Sequence, residues 1–232
     1  MGNHEFNAIS YATRLESGEY ARPYTEKNRL QHQAFLDAFP FASSEHAEAI
    51  RFFKSIPLWL DMGAFRVVHA CWHEPSMHAL KPFLNHANCI ADDRIYAWVG
   101  AGREPLYSAV ETILKGPEVK LPEGAAFADT DGNMRDSARI NWWKLGRGEE
   151  HAFAINRHLL AEHDMERTYN DAMAYAYDER QPAVFFGHYW QVEQENEAKH
   201  QANSACLDWS VAKGGRLRAY RWNGSLTERG WF

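Results

Sequence analysis

The sequence predicts an α/β fold, and three observations carry that prediction. Two short apolar runs, Phe65-Arg66-Val67-Val68-His69-Ala70 and Ala183-Val184-Phe185-Phe186-Gly187-His188, have the length and residue types of buried strands. Each carries a histidine where the chain would leave the sheet. Around them lie segments of helical period. The clearest covers residues 104–115, with Leu106, Ala109, Val110 and Ile113 on one face and Gly116-Pro117 as a stop. Residues at strand ends in α/β folds commonly build the active site, which makes His69 and His188 candidates for chemistry.

Composition bounds the rest. The 232 residues are 45% hydrophobic and 24% charged, which suits one soluble globular domain. A net charge of −6 argues against a nucleic-acid partner. No apolar run is long enough to span a membrane and none reads as a secretory signal, so the expectation is a cytoplasmic protein without a membrane partner. Cys71, Cys89 and Cys206 are an odd, sparse set and predict no disulfide framework.

In chain order, Phe6, Ile9, Tyr11 and Ala12 predict a helix over 5–15, followed by a loop over 16–23. Thr25 is an N-cap for a helix over 26–39 with Leu30, Ala34, Phe35, Ala38 and Phe39 on one side. Pro40 ends it. Ser43 or Ser44 caps a helix through 54 that buries Ala47, Ile50 and Phe53. This helical insert, about 16–56, reads as scaffold. Residues 58–61 and 65–70 are strands joined by a hairpin at Met62-Gly63-Ala64. Ser76 caps a short helix towards 84, and 94–99 is either helical or extended.

Asp129-Thr130-Asp131-Gly132-Asn133 is a turn rather than a calcium loop, because the twelfth position is Ile140 instead of Glu. Helices are predicted over 149–163 and 165–177, a polar loop over 191–201, closing strands over 205–207 and 216–222, and a tail at 230–232. Asp208 either steadies the His188 region or caps a turn.

The residues with metal and proton chemistry open the chain as Met1-Gly2-Asn3-His4-Glu5. Asn3 offers an amide oxygen. His4 offers an imidazole that can ligate or carry a proton. Glu5 can orient that imidazole, and Gly2 allows close backbone approach. His69, Cys71 and His73 have zinc-ligand types, but alternating residues of an extended segment do not converge on one ion. Arg135 and Arg139 alternate with Ile140, Trp142 and Trp143. An Arg in a pocket can clamp a phosphate through its fork of donors; the alternative is a solvated strand face.

Gly2-Asn3-His4-Glu5, a strand ending in His69-Ala70, a strand ending in Gly187-His188, and Leu207-Asp208 followed by Gly214-Gly215-Arg216-Leu217 occur in the order found in the calcineurin-like metallophosphoesterases. The set most resembles their bacterial phosphoprotein-phosphatase-like branch, from residue 1 to about 222. The resemblance implies a four-layer β-sandwich flanked by helices. It implies a hydrolase acting on phosphate esters of a phosphoprotein or small molecule, or of a nucleotide or dinucleotide polyphosphate. It assigns Asn3, His69 and His188 to the second metal, His4 as general acid with Glu5 as its orienter, and Arg139, then Arg135, to phosphate.

The family's earlier motifs, Asp-x-His and Gly-Asp-x-x-Asp-Arg-Gly, are not in this sequence. The resemblance therefore implies an N-terminally truncated enzyme. It would hold at most one divalent ion where the complete family site holds two. Manganese is the first choice, with iron, zinc or nickel as alternatives. The expected activity is weak or absent. A sheet edge left open would favour self-association, and the competing reading is a non-catalytic fragment that acts through protein contacts.

Overall fold

The computed structural model describes residues 1–129, 132–148, 151–154, 163–191 and 201–232. Within them the chain is mixed α/β, with seven α-helices and small sheets. The helices are α1 (Asn3–Ala12), α2 (Glu26–Ala38), α3 (Ser44–Lys54), α4 (Glu74–Leu80), α5 (Arg94–Gly100), α6 (Leu106–Lys115) and α7 (Glu166–Ala172). The strands are β1 (Trp59–Asp61), β2 (Phe65–Val68), β3 (Glu118–Lys120), β4 (Phe127–Ala128), β5 (Met134–Arg135), β6 (Ser137–Arg139), β7 (Ala183–Phe186) and β8 (Ser204–Cys206). The chain forms two compact units, one of Met1–Asp61, Val67–Ala70 and Glu74–Lys115, the other of Met62–Arg66, Cys71–His73 and Gly116–Phe232.

The first unit is built from α1 to α6. Helix α1 starts at Asn3, earlier than apolar spacing alone suggests, because Gly2 is its N-cap and Glu5 returns its carboxylate to the Gly2 N–H at 2.8 Å. It stops at Ala12 rather than 15, and Arg14 instead bridges Tyr20 antiparallel. Helices α4 and α5 pack on α6, and α1 packs on α3 and α5. Ile9, Leu58, Leu80, Ile95 and Ile113 form the fully buried core. The segment 94–99, open between helix and strand in the sequence, is helical. Helix α4 begins at Glu74, ahead of the Ser76 cap the sequence suggested.

Helices α2 and α3 are capped as the sequence predicts. Thr25 Oγ1 accepts from the Asn28 N–H, and Ser43 Oγ accepts from the His46 N–H. Their buried faces differ from the prediction. Leu30 is 58% exposed, and Ala34, Ala38 and Ala47 are exposed, whereas His32 and His46 are buried. Rings rather than aliphatic side chains make this interface. Tyr11 lies 5.1 Å from His32, His32 4.9 Å from Phe35, and Phe35 5.5 Å from His46 and 5.4 Å from Phe53. Counting aliphatic residues cannot locate a face whose buried members are imidazoles.

In the second unit, β7 and β8 are parallel, with Val184 opposite Ser204 and Phe186 opposite Cys206. Strands β3 and β6 are antiparallel and place Glu118 opposite Arg139. Strands β4 and β5 form a hairpin closed by the Asp129 N–H on the Asn133 carbonyl. Ile140, Trp142, Leu145 and Val184 are fully buried, and Trp142 packs 4.9 Å from Phe186.

The predicted strand over 216–222 is instead a single bridge, Tyr220 to Trp231, flanked by paired backbone bonds between Ala219 and Phe232. The predicted tail thus packs back on this segment, with Trp231 buried against the Tyr220 ring. The helix predicted over 165–177 is α7 followed by a 3-10 turn, Met173–Tyr175. The helix predicted over 149–163 and the loop over 191–201 fall largely outside the described residues. Within 151–154, Phe153 bridges Ile140 antiparallel. No helix among the described residues is long and apolar enough to cross a membrane.

Burial pushes His32 from its ordinary value near 6.5 down to about 4, with the charges of His46, Arg22 and His4 acting the same way; burial lowers His46 too. The unfolded chain takes up the His32 proton near 6.5, while the folded chain resists it to about 4. The stability contributed by neutral His32 is therefore fully present above pH 6.5 and is lost as pH falls towards 4. The urea midpoint should decline across that interval, and His32→Gln should make the decline shallower. An unchanged slope in the variant contradicts the assignment.

Candidate active site

Two local arrangements hold the candidate residues, one in each unit. In the first unit, His69 follows directly on β2, and the Ala70 N–H beyond it donates to the Ile113 carbonyl at 3.0 Å. This fixes the half-buried His69 ring against the first turn of α1. A Cβ at residue 2 would lie 2.7 Å from Glu5 Oε2 and 2.8 Å from the nearest His69 ring carbon, so a side chain there would force Glu5 and His69 to shift. Asn3 Oδ1 lies 2.9 Å from His69 Nε2. An amide oxygen only accepts, so Nε2 carries the proton in this contact. The structure thus brings Asn3 and His69 together. Glu5 bonds the Gly2 N–H, and His4 is exposed on the same turn.

In the second unit, β7 ends at Phe186, and His188 turns the chain with a left-handed φ of 65°. The next residue holds that turn in place. The buried Tyr189 hydroxyl donates to the Ile140 carbonyl at 2.9 Å. It sits where a Cβ of Gly116 would be, at 2.0 Å. Arg139, at the end of β6, meets the His188 ring at 3.1 Å between Nη1 and Nε2. Guanidinium nitrogens only donate, so Nε2 accepts, and the proton of a neutral His188 is on Nδ1. Arg139 Nη2 also donates to Glu118 Oε1 at 3.1 Å, and its buried Nε has no hydrogen-bond partner among the described residues.

Of the two candidate arginines, Arg139 stands beside a candidate histidine. Arg135 is exposed and pairs with Asp129 at 2.9 Å in the β4–β5 hairpin. Sequence reasoning missed Glu118, Tyr189 and the second role of Gly116. Gly116-Pro117 is visible in the sequence as a helix stop, but the space Gly116 leaves for Tyr189 is not. Cys71 is fully buried, which pushes its thiol up, and His73 stacks 4.7 Å from Tyr175 and is lowered by burial. Both belong to the packing of the second unit.

Among the described residues no three His, Cys, Asp or Glu side chains form a group that could hold a divalent ion. The Asn3–His69 pair nevertheless has suitable spacing. Ligand distances of about 2.0–2.2 Å at right angles put neighbouring donors about 3 Å apart, and these two atoms are 2.9 Å apart. Among known proteins, no family model, no curated protein and no solved structure matches the chain.

Gly2→Ala should force Glu5 and His69 away from residue 2. Overpacking of this kind costs about 1–3 kcal/mol, so the urea midpoint should fall and the His69 ring resonances should shift. A variant as stable as the parent, with an unmoved His69, contradicts the close approach.

Proposed function

We propose that the chain carries half of a dinuclear phosphoesterase site in a calcineurin-like sandwich and acts, weakly as this polypeptide, on phosphate esters in the cytoplasm. The observation that carries the reading is the Asn3–His69 contact over a Gly2 that leaves no room for a side chain. In this reading Asn3 Oδ1 and His69 Nε2 are adjacent donors to one divalent ion, manganese first. Both are neutral and cannot offset a double charge, so affinity is low.

A divalent ion bound there would polarise a phosphate oxygen and acidify a water. The chain's own residues do the remainder. His69 would present Nε2 to such an ion in the tautomer that carries its proton on Nδ1. His4, exposed on the first turn of α1, delivers a proton to the leaving oxygen. Arg139 offers two guanidinium donors to phosphate oxygens in exchange for Glu118 and His188. Glu5 holds the α1 turn through Gly2 and fixes where His4 and Asn3 project.

Manganese titration by calorimetry tests this reading. The chain should bind one ion weakly, and His69→Ala should reduce affinity by at least about tenfold, as loss of even an outer-shell partner does. Turnover of p-nitrophenyl phosphate with manganese should be slow, and slower still in Arg139→Ala. Equal manganese binding by the His69→Ala variant overturns the site. Robust turnover by the chain overturns the claim of weak activity.

A further inference from the structure

The first unit contains a cavity of about 170 Å³ that no role above uses. Its wall includes Phe6, Val99, Val110 and Leu114 on the apolar side and Asn3, Asn7, Arg22, Asn28, Glu111 and Lys115 on the polar side. For scale, an apolar cavity of about 150 Å³ holds one benzene molecule, so a ring-sized organic group fits.

Three lining residues carry formal charge, and two of them cancel. Lys115 Nζ pairs with Glu111 Oε1 at 2.6 Å. Arg22 is left. Its guanidinium is half-buried and is held by two neutral amides, Nη1 donating to Asn7 Oδ1 at 3.0 Å and Nη2 to Gln31 Oε1 at 2.8 Å. Among the described residues it has no carboxylate ion-pair partner. Burial lowers its pKa, and the charge of Glu111, on the wall of the same cavity, opposes that. A guanidinium stays charged regardless, so an uncompensated positive charge stands at the cavity wall.

The segment that carries Arg22 is pinned rather than loose. The Ala21 N–H donates to the Thr13 carbonyl at 2.9 Å and the Arg22 N–H to the Ser10 carbonyl at 3.1 Å. On its other side, the Ala21 carbonyl lies where a Cβ of Gly100 would be, at 2.1 Å. Asn7 gives its oxygen to Arg22, which leaves its amide N–H₂ as a donor from the same wall. A fixed fork, a neighbouring amide donor and an apolar wall are the parts of a site for an organic oxyanion.

We propose that this cavity binds the oxyanion of a small organic ligand, carboxylate or phosphate, through Arg22 and Asn7, with the ligand's apolar part against Phe6, Val99 and Leu114. Asn3 lines the cavity and also touches His69. If the phosphoesterase reading above holds, and this step rests on it, the cavity takes a second oxyanion of the substrate beside the phosphate to be cleaved.

The test is a metal-free titration of the full chain in chelator, following the Arg22 Nε–Hε NMR signal, with inorganic phosphate and benzoate as separate probes. At least one probe should shift that signal saturably. Saturation by phosphate alone identifies a phosphate group, and by benzoate alone a carboxylate. Calorimetry with the same probes reads binding in the variants, which lack that signal: Arg22→Gln should weaken it by about tenfold or more relative to the wild-type chain, the size of one charge-assisted contact. Arg22→Lys, which keeps the charge and loses the fork, should fall between the two.

Arg22→Gln should leave manganese binding at the level of the wild-type chain. It thereby separates this proposal from the metal reading, which His69→Ala tests. No shift of the Arg22 signal with either probe overturns the cavity assignment, as does undiminished binding in a folded Arg22→Gln chain. If Arg22→Gln fails to fold, the wild-type titration and Arg22→Lys decide.

Discussion

The first unit is organised by the absence of a side chain at residue 2. Glu5 Oε2 and the His69 ring both occupy the space a Cβ would need. Three consequences follow from that one packing constraint. The Gly2 N–H is capped by Glu5, so α1 can begin at Asn3. Asn3 then sits on the first helical turn, with its amide oxygen against His69. His69 in turn is held by the Ala70 bond to α6. The same α1 surface forms one side of the Arg22 cavity through Asn3, Phe6, Asn7 and Ser10. Each piece is ordinary hydrogen bonding and packing, but they converge on one helix turn.

The second unit solves a related problem by other means. A non-glycine residue with left-handed φ is strained and persists when its surroundings over-determine it. Here the residue is His188, and the surroundings are Tyr189 and Arg139. Tyr189 is buried and anchored through its hydroxyl to Ile140, with Gly116 supplying the space. Arg139, one residue before Ile140, receives the His188 ring and is balanced by Glu118 across the β3–β6 pair. A half-exposed ion pair of this kind adds little stability by itself. Its effect is to hold an arginine fork beside an imidazole lone pair.

Much of the secondary structure was legible because it is encoded locally. Thr25 and Ser43 cap α2 and α3 as their residue types require, the apolar period of 104–115 gives α6, and the run 183–186 gives β7. What was not legible is encoded at long range. The buried face of α2 is His32 because Tyr11 and Phe35 flank it, and neither neighbour can be read from period alone. The strands β3 and β6 are three residues each, too short for alternation to show, so the pairing of Glu118 with Arg139 had no local signal. Of the candidate site, Asn3, His69, His188 and Arg139 could be named from motif order, but the contacts of Asn3 with His69 and of Arg139 with His188 could not. Nothing local separates Arg139 from Arg135; the pairing of Arg135 with Asp129 in the β4–β5 hairpin exists only in the fold. Arg22 carried no motif at all, and its hold by Asn7 and Gln31 rather than by a carboxylate exists only in three dimensions.

The central claim is that Asn3 and His69 are metal donors rather than a purely structural contact. Pulsed electron paramagnetic resonance of the chain with substoichiometric manganese addresses it directly. The account predicts electron spin-echo modulation from a directly coordinated imidazole nitrogen, present in the wild-type chain and diminished in His69→Ala. A spectrum indistinguishable from hexaaquo manganese, or imidazole coupling that survives loss of His69 unchanged, would contradict it.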